Sequence, residues 1–445
     1  MATRRRAARF VWPLVWVALG IVLVARATGR PSSRGVILDH LEFGRRLLAG
    51  EDVHGPWKSD PDAPVRPLHA PYPPSFGLMT APFAVIDAVL GPRAARAGWA
   101  LLQVLALAAM AWQLRRLTAG RAPPGMESTW HWLWFGTFLL GARFILRDAH
   151  GGGGNLINVA MCLLAFGSAE RGRPVTAGLL LGFSLLTKPT QLWLLPVFWL
   201  LGHRRAAAST VLAGVAGVVL TLALQRFDLA PWLRWFEGSF ALALQSDPWA
   251  VPALEFPPFE WMNQSLRCAV ARWCGTVPDE FAARVALGVP AGLGLSATTV
   301  ALLARALNLA LIAGLLLSAW RARPRAAARL WLFAAALVAS VLLSPLSWKA
   351  HHTALLPILF LLLQEARWRR SRRAAAAMLL GGWALCCAVP GRDLVGDDLD
   401  EWLNSVYVVT FWDLVLLGVA LALAHRVSVR SATACEHDDA AFPAP

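Results

Sequence analysis

The chain has 445 residues, 57% of them hydrophobic and 16% charged, with a mean hydropathy of +0.51, a balance that excludes a soluble globular domain of this length. The net charge of +15 falls in short arginine clusters at the ends of apolar runs, residues 3–9, 171–173, 203–205, 321–329, 367–373 and 425–430. That is the pattern of cytoplasmic loops in a polytopic membrane protein, and it argues against nucleic acid as a partner.

Basic residues precede the first apolar run, 10–27, and no convincing cleavage site follows it, so it reads as an uncleaved first span rather than a signal peptide. Directly behind it comes ILDHLEFGRRLLAGEDVHGP, residues 37–56. A carboxylate at a membrane boundary has a partner or a task; Asp39 fits either a catalytic base or a cap for the helix that follows. His40 and Glu42 follow it within three residues. Leu41, Leu47 and Leu48 fall near one helical face and Arg45 and Arg46 on another, which predicts a helix lying along the interface with its arginines wet. Further on, HAPYPPSFGLMTAPF (69–83) leads into the second apolar run. Tyr72 and its two prolines make a stiff approach that serves either as an aromatic anchor or as a ligand contact.

Thirteen apolar segments recur along the chain: 10–27, 74–90, 97–114, 130–147, 155–169, 174–187, 190–202, 206–225, 298–320, 330–346, 351–366, 374–390 and 406–425. An odd number of full spans cannot return the chain to its starting side, so one is re-entrant, merged or half-length. The short ones at 155–169, 174–187 and 190–202 are the suspects, since fewer than about 17 residues rarely cross a bilayer alone. GGGG (151–154) and TKPT (187–190) supply the breaks, through glycine's freedom and proline's missing donor. Broken helices are tolerated where they line a cavity. Lys188, in the second break, either snorkels to the interface or faces a phosphate.

Two long outer loops, 28–73 and 226–297, interrupt an otherwise single polytopic domain spanning 1–445. In the second, Trp232, Trp235, Trp249 and Trp261 suit the headgroup level. EWMNQSLRCAVARW (260–273) offers Asn263, Gln264, Ser265 and Arg272, donors and acceptors suited to sugar hydroxyls or phosphate oxygens. Cys268 and Cys274 share this loop and could pair; the six cysteines show no metal spacing. LLSPLSWKAHH (342–352) breaks two more segments and presents Trp348, Lys349, His351 and His352. No third ligand accompanies the histidine pair, so phosphate contact is preferred to metal. The acidic stretch GRDLVGDDLDEW (391–402) reads as a solvated loop.

The order of these features resembles one family. Asp39 behind the first span, YPP (72–74), Gly154 with Asn155, AGLLLG (177–182) before KP (188–189), NQS (263–265) and SPLSWKAH (344–351) together are similar to the polyprenol-phosphate-mannose-dependent mannosyltransferases of glycosyltransferase family 87, over about residues 10–425. The resemblance implies an all-α integral membrane protein of GT-C type with about twelve spans. It implies a plasma (inner) membrane location, an active site open to the periplasmic side, and transfer of a mannosyl residue from a polyprenyl-phosphate sugar to a lipid-linked or cell-envelope glycan acceptor. Asp39 matches the family's catalytic base and His351 its histidine after the Ser-Trp motif; His352 is an additional candidate. The family's Gly-Gln break reads Gly154-Asn155 here. Tyr72, Asn155, Lys188, Asn263, Gln264, Ser265, Arg272, Trp348, His351 and His352 are then the expected substrate contacts. Lys188, Arg272 and His351 would hold the leaving phosphate, and no metal or other cofactor is expected. Arabinofuranosyl transfer within the same family, and a lipid-linked sugar transporter without chemistry, are the competing expectations.

Overall fold

Each of the thirteen apolar segments carries helix in the computed structural model, which describes residues 2–29, 36–57, 66–67, 72–121, 129–240, 249, 262–286, 288–323 and 325–439. The chain runs through α1 (Ala2–Thr28), α2 (Ile37–Ala49), α3 (Gly77–Leu90), α4 (Pro92–Thr118), α5 (Trp130–Gly151) and α6 (Asn155–Glu170). It continues with α7 (Pro174–Thr187), α8 (Leu194–Leu200), α9 (Arg204–Leu224), α10 (Ala230–Trp235), α11 (Leu266–Cys274) and α12 (Ala297–Ala322). The last five are α13 (Ala326–Leu343), α14 (Leu356–Trp368), α15 (Arg373–Trp383), α16 (Arg392–Ser405) and α17 (Val408–Asp439).

Among the described residues six helices, α1, α4, α9, α12, α13 and α17, are long and apolar enough to cross a membrane, and two bent pairs bring the number to eight. The first bent pair is α5 with α6, turning by 115° at the glycine run. The second turns by 87° between the continuation of α15 to Ala388 and α16. The segment at 155–169 is therefore one arm of a broken element, while α7 is too short to cross alone. Of the most apolar window of α13, 78% is buried against 6% for that of α1, so α13 is the axis of the bundle and α1 lies at its rim. Leu14, Leu212 and Leu309, on α1, α9 and α12, stand more than half exposed; lipid is the solvent that accommodates such surfaces.

The helix behind the first span forms as the pattern predicts and ends at Gly50, whose left-handed φ of 67° lets its N–H reach the carbonyls of the last turn. Its role differs from an interfacial strip. Phe43 and Leu47 are fully buried, and Gly44 lies so close to α3 that a Cβ would stand 2.7 Å from the Thr80 carbonyl carbon. Arg45 is exposed, but Arg46 is not a wet residue: it is 11% exposed and donates to the carbonyls of Asp52 (3.2 Å) and Pro56 (2.6 Å). Both arginines also converge on the buried Glu42, at 2.7 Å and 2.6 Å, so Glu42 ties the helix to the loop after it. Burial raises its carboxyl, yet the bonds and charges of the two arginines outweigh that and hold it below its ordinary value.

Two further expectations are corrected. The acidic stretch is largely exposed but forms α16 instead of a loop, and its Asp400 is buried, receiving Lys349 Nζ at 2.7 Å and the guanidinium of Arg143. A carboxylate between two cations is less costly to bury than one alone, and this one fastens α16 to α5 and to the SWKAHH break. Cys268 and Cys274, whose pairing the shared loop only allowed, form no disulfide. Trp249 is buried and stacked on Phe281 at 6.0 Å instead of facing headgroups, whereas Trp232 and Trp235 meet edge-on at 6.0 Å; Trp261 lies outside the described residues.

Candidate functional site

Three helix breaks meet around Lys188. In the first, α5 ends at Gly151, Gly152 turns with φ 73°, and α6 starts at Asn155. The carboxylate of Asp148, in the last turn of α5, bridges the bend. It accepts from Asn155 Nδ2 at 2.6 Å, from the Asn155 N–H at 3.3 Å and from the Leu156 N–H at 2.8 Å. Two of the donors left open at the start of α6 are satisfied this way. The carbonyl of Gly153 is held by Trp99 Nε1 at 3.2 Å and by Gln103.

The second break follows from Pro189. The residue before a proline is pushed out of the helical region, and Lys188 is extended at φ −153°, ψ 96°. Its carbonyl accepts from Asn158 Nδ2 at 3.2 Å, which also reaches Gln191 at 2.7 Å. Its ammonium donates to Asn155 Oδ1 and lies 5.1 Å from the centre of the Tyr72 ring. Tyr72 in turn stacks on Phe76 at 4.1 Å. His40 packs edge-on against both, at 5.4 Å and 4.8 Å, and lies tilted against Trp99 at 5.5 Å. Burial, then the charge of Lys188, pushes His40 down to about 3, so the ring is neutral.

Asp39 precedes this histidine and is 8% exposed. The N-cap of α2 is Val36, so Asp39 sits inside the first turn, where its charge favours the helix dipole without occupying the cap position. Burial raises the Tyr72 hydroxyl, and the charges of Asp148 and Asp39 raise it further; two carboxylates thus act on one tyrosine.

The third break brings His351 close to Lys188. His351 Nδ1 accepts the Trp348 N–H at 2.7 Å. With Nδ1 an acceptor, the neutral ring carries its proton on Nε2 and is a fixed donor there. Beside this centre lies an open apolar groove of about 240 Å³, lined by Pro73, Ser75, Leu186, Gly214, Trp232 and Trp235 among others.

Asp39, Tyr72, Asn155, Lys188 and His351 are therefore gathered in one region, with Trp348 at its third break. The remaining sequence candidates are engaged elsewhere. Asn263 Oδ1 accepts the Ser347 N–H at 2.8 Å and its Nδ2 donates to the Pro345 carbonyl at 3.0 Å. Gln264 bonds the Asn404 carbonyl at 2.9 Å, and Ser265 caps α11. NQS thus clamps the SPLS break to the C-terminal helices. Arg272 donates to the Pro290 carbonyl. His352 lies 2.9 Å from Asp413, both fully buried. Among the described residues no three His, Cys, Asp or Glu side chains converge as metal ligands would.

Asp148 escaped the sequence reading, although a signal existed: an acidic residue at the end of an apolar segment, just before a glycine run. A model of glycosyltransferase family 87 matches residues 70–345, a stretch that holds Tyr72, Asp148, Asn155 and Lys188 and leaves Asp39 and His351 outside it. A search of curated proteins finds no match.

Proposed function

The chain belongs to glycosyltransferase family 87, and from that premise we propose that it moves a mannosyl residue from a polyprenyl-phosphate donor to a lipid-linked or cell-envelope glycan, at a site open to the outer side of the plasma membrane. That it is a membrane glycosyltransferase follows from the family and the apolar helices; the donor, the sugar and the residue roles are the proposal.

The gathering of Lys188 and His351 at two helix breaks, with the buried carboxylate of Asp39 acting on the Tyr72 ring that faces the lysine, supports this reading. Asp39 takes the proton of the acceptor hydroxyl as that oxygen bonds to the anomeric carbon. The bond from that carbon to the phosphate oxygen breaks in the same inverting displacement, and the electron pair leaves with the phosphate. A phosphodiester monoanion becomes a monoester with a second negative charge, so preorganised positive and donor groups favour the transition state over the bound donor. Lys188 and the Nε2 of His351 supply them, which leaves the step no need of a leaving-group acid or a divalent ion. Tyr72 and Asn155 orient the ammonium, and the apolar groove beside Pro73 suits isoprenoid units of the donor. Asp148, held by three N–H donors, is poorly placed to act as a base.

The test is to incubate membranes carrying the protein with radiolabelled polyprenyl phosphate mannose and native acceptor extracts. Label should leave the lipid phosphate for a glycan; retention of label with every extract would sink the proposal.

A further inference from the structure

The Asn155 amide has two ends and two partners. Its Nδ2 donates to Asp148 at 2.6 Å and its Oδ1 accepts from Lys188. An amide can flip, exchanging donor for acceptor, and Asp148 forbids the flip, because an ionised carboxylate accepts only. The same carboxylate is the counter-charge to Lys188. The other titratable groups facing the ammonium are His40 from α2, Tyr72 from the turn before α3 and His351 from the third break, none of which brings a negative charge at neutral pH. Asp39, in the first turn of α2, acts on Tyr72. The backbone conforms to this arrangement: a Cβ on Gly153 would collide with Asp148.

We infer that Asp148 is a positioning residue for transfer, which fixes the direction of the Asn155 amide and supplies the charge that keeps Lys188 an ammonium at the donor phosphate. It touches no substrate and acts through Asn155 and Lys188; the inference rests on the phosphate role of Lys188 proposed above. Two separable effects follow. Charge belongs to Asp148 alone, because burial disfavours the ammonium and the carboxylate opposes that. Direction belongs to Asp148 and Asn155 jointly.

The experiment is the pH–rate profile of full-length enzyme with polyprenyl phosphate mannose, read for four variants. Asp148→Asn keeps the side-chain shape and loses the charge, so the alkaline limb should move down by about one pH unit, with about a tenfold loss of kcat on that limb and a smaller loss at acidic pH. Asn155→Ala keeps the charge and both backbone bonds to Asp148, so kcat should fall about tenfold at all pH with the limb in place. Combining Asp148→Asn with Lys188→Arg should flatten the alkaline limb, since guanidinium stays charged. Lys188→Met should abolish transfer.

Wild-type profiles for Asp148→Asn and Asn155→Ala, beside an inactive Lys188→Met, would overturn this inference and leave the proposed function standing. An active Lys188→Met would overturn the phosphate role itself. Should Asp148→Asn fail to fold, Asn155→Ala decides: an unchanged kcat overturns the inference and a fall at all pH supports it.

Discussion

The ammonium of Lys188 lies between an aromatic face and an amide, 5.1 Å from the centre of the Tyr72 ring on one side and bonded to Asn155 Oδ1 on the other. A cation held by a ring quadrupole and one acceptor keeps donors to spare for an arriving phosphate. The ring face is then what counts, more than the hydroxyl. Tyr72→Phe should keep kcat/KM within about threefold, whereas Tyr72→Leu should lower it about tenfold. Steady-state kinetics on the two variants checks this, and a large loss for Tyr72→Phe would shift the role to the hydroxyl.

Asp39→Asn removes the proposed base and keeps the size of the side chain. Transfer should fall by about 10²–10⁴, while binding of a non-transferable donor analogue stays near the wild-type level. A protein using its cavity only for transport would show neither loss.

Glu42 couples α2 to the loop behind it through both arginines. Its folded carboxyl lies below the ordinary 4.5, so its contribution is present above that value and is lost as pH falls through the lowered one. Thermal unfolding in detergent should show the wild-type midpoint dropping below about pH 4.5 and a flatter drop for Glu42→Gln.

Asp400 neutralises Lys349 and Arg143. Asp400→Ala strands two cations and should cost about 3 kcal/mol. Adding Lys349→Met should return part of that loss, and a double-mutant cycle of unfolding midpoints measures the coupling. Additive effects would mean that α16 is held by other contacts.

Asn263→Ala strands the Ser347 N–H inside the fold. It should cost about 1–3 kcal/mol of stability and leave kcat per folded molecule close to wild type. A normal melting curve with collapsed activity would instead return Asn263 to the substrate.

Spans and breaks were legible because their causes are local. Some twenty apolar residues in a row can only be buried or meet lipid, and each of the thirteen segments carries helix. A glycine run and a Lys-Pro pair interrupt helices wherever they stand, and α5 and α7 end at them. Asp39 was noticed for a local reason too, a carboxylate at a boundary, but setting aside the cap needed the register of α2, which makes Val36 the N-cap.

Polar pairing was not legible. NQS looks like a substrate-facing set until its partners are found some eighty residues away in the SPLS break. Asp400 looks solvated, like the rest of its acidic stretch, until Lys349 and Arg143 close on it. A side chain's chemistry is written at its own position, whereas whether its hydrogen bonds are already used depends on what the fold brings beside it. The sequence by itself therefore determined an all-helical membrane chain, its breaks and a short roster of polar candidates. Only the tertiary structure decided which of them share a centre, since a 115° bend between α5 and α6 sets Asp148 against Asn155, and Asn155 against Lys188.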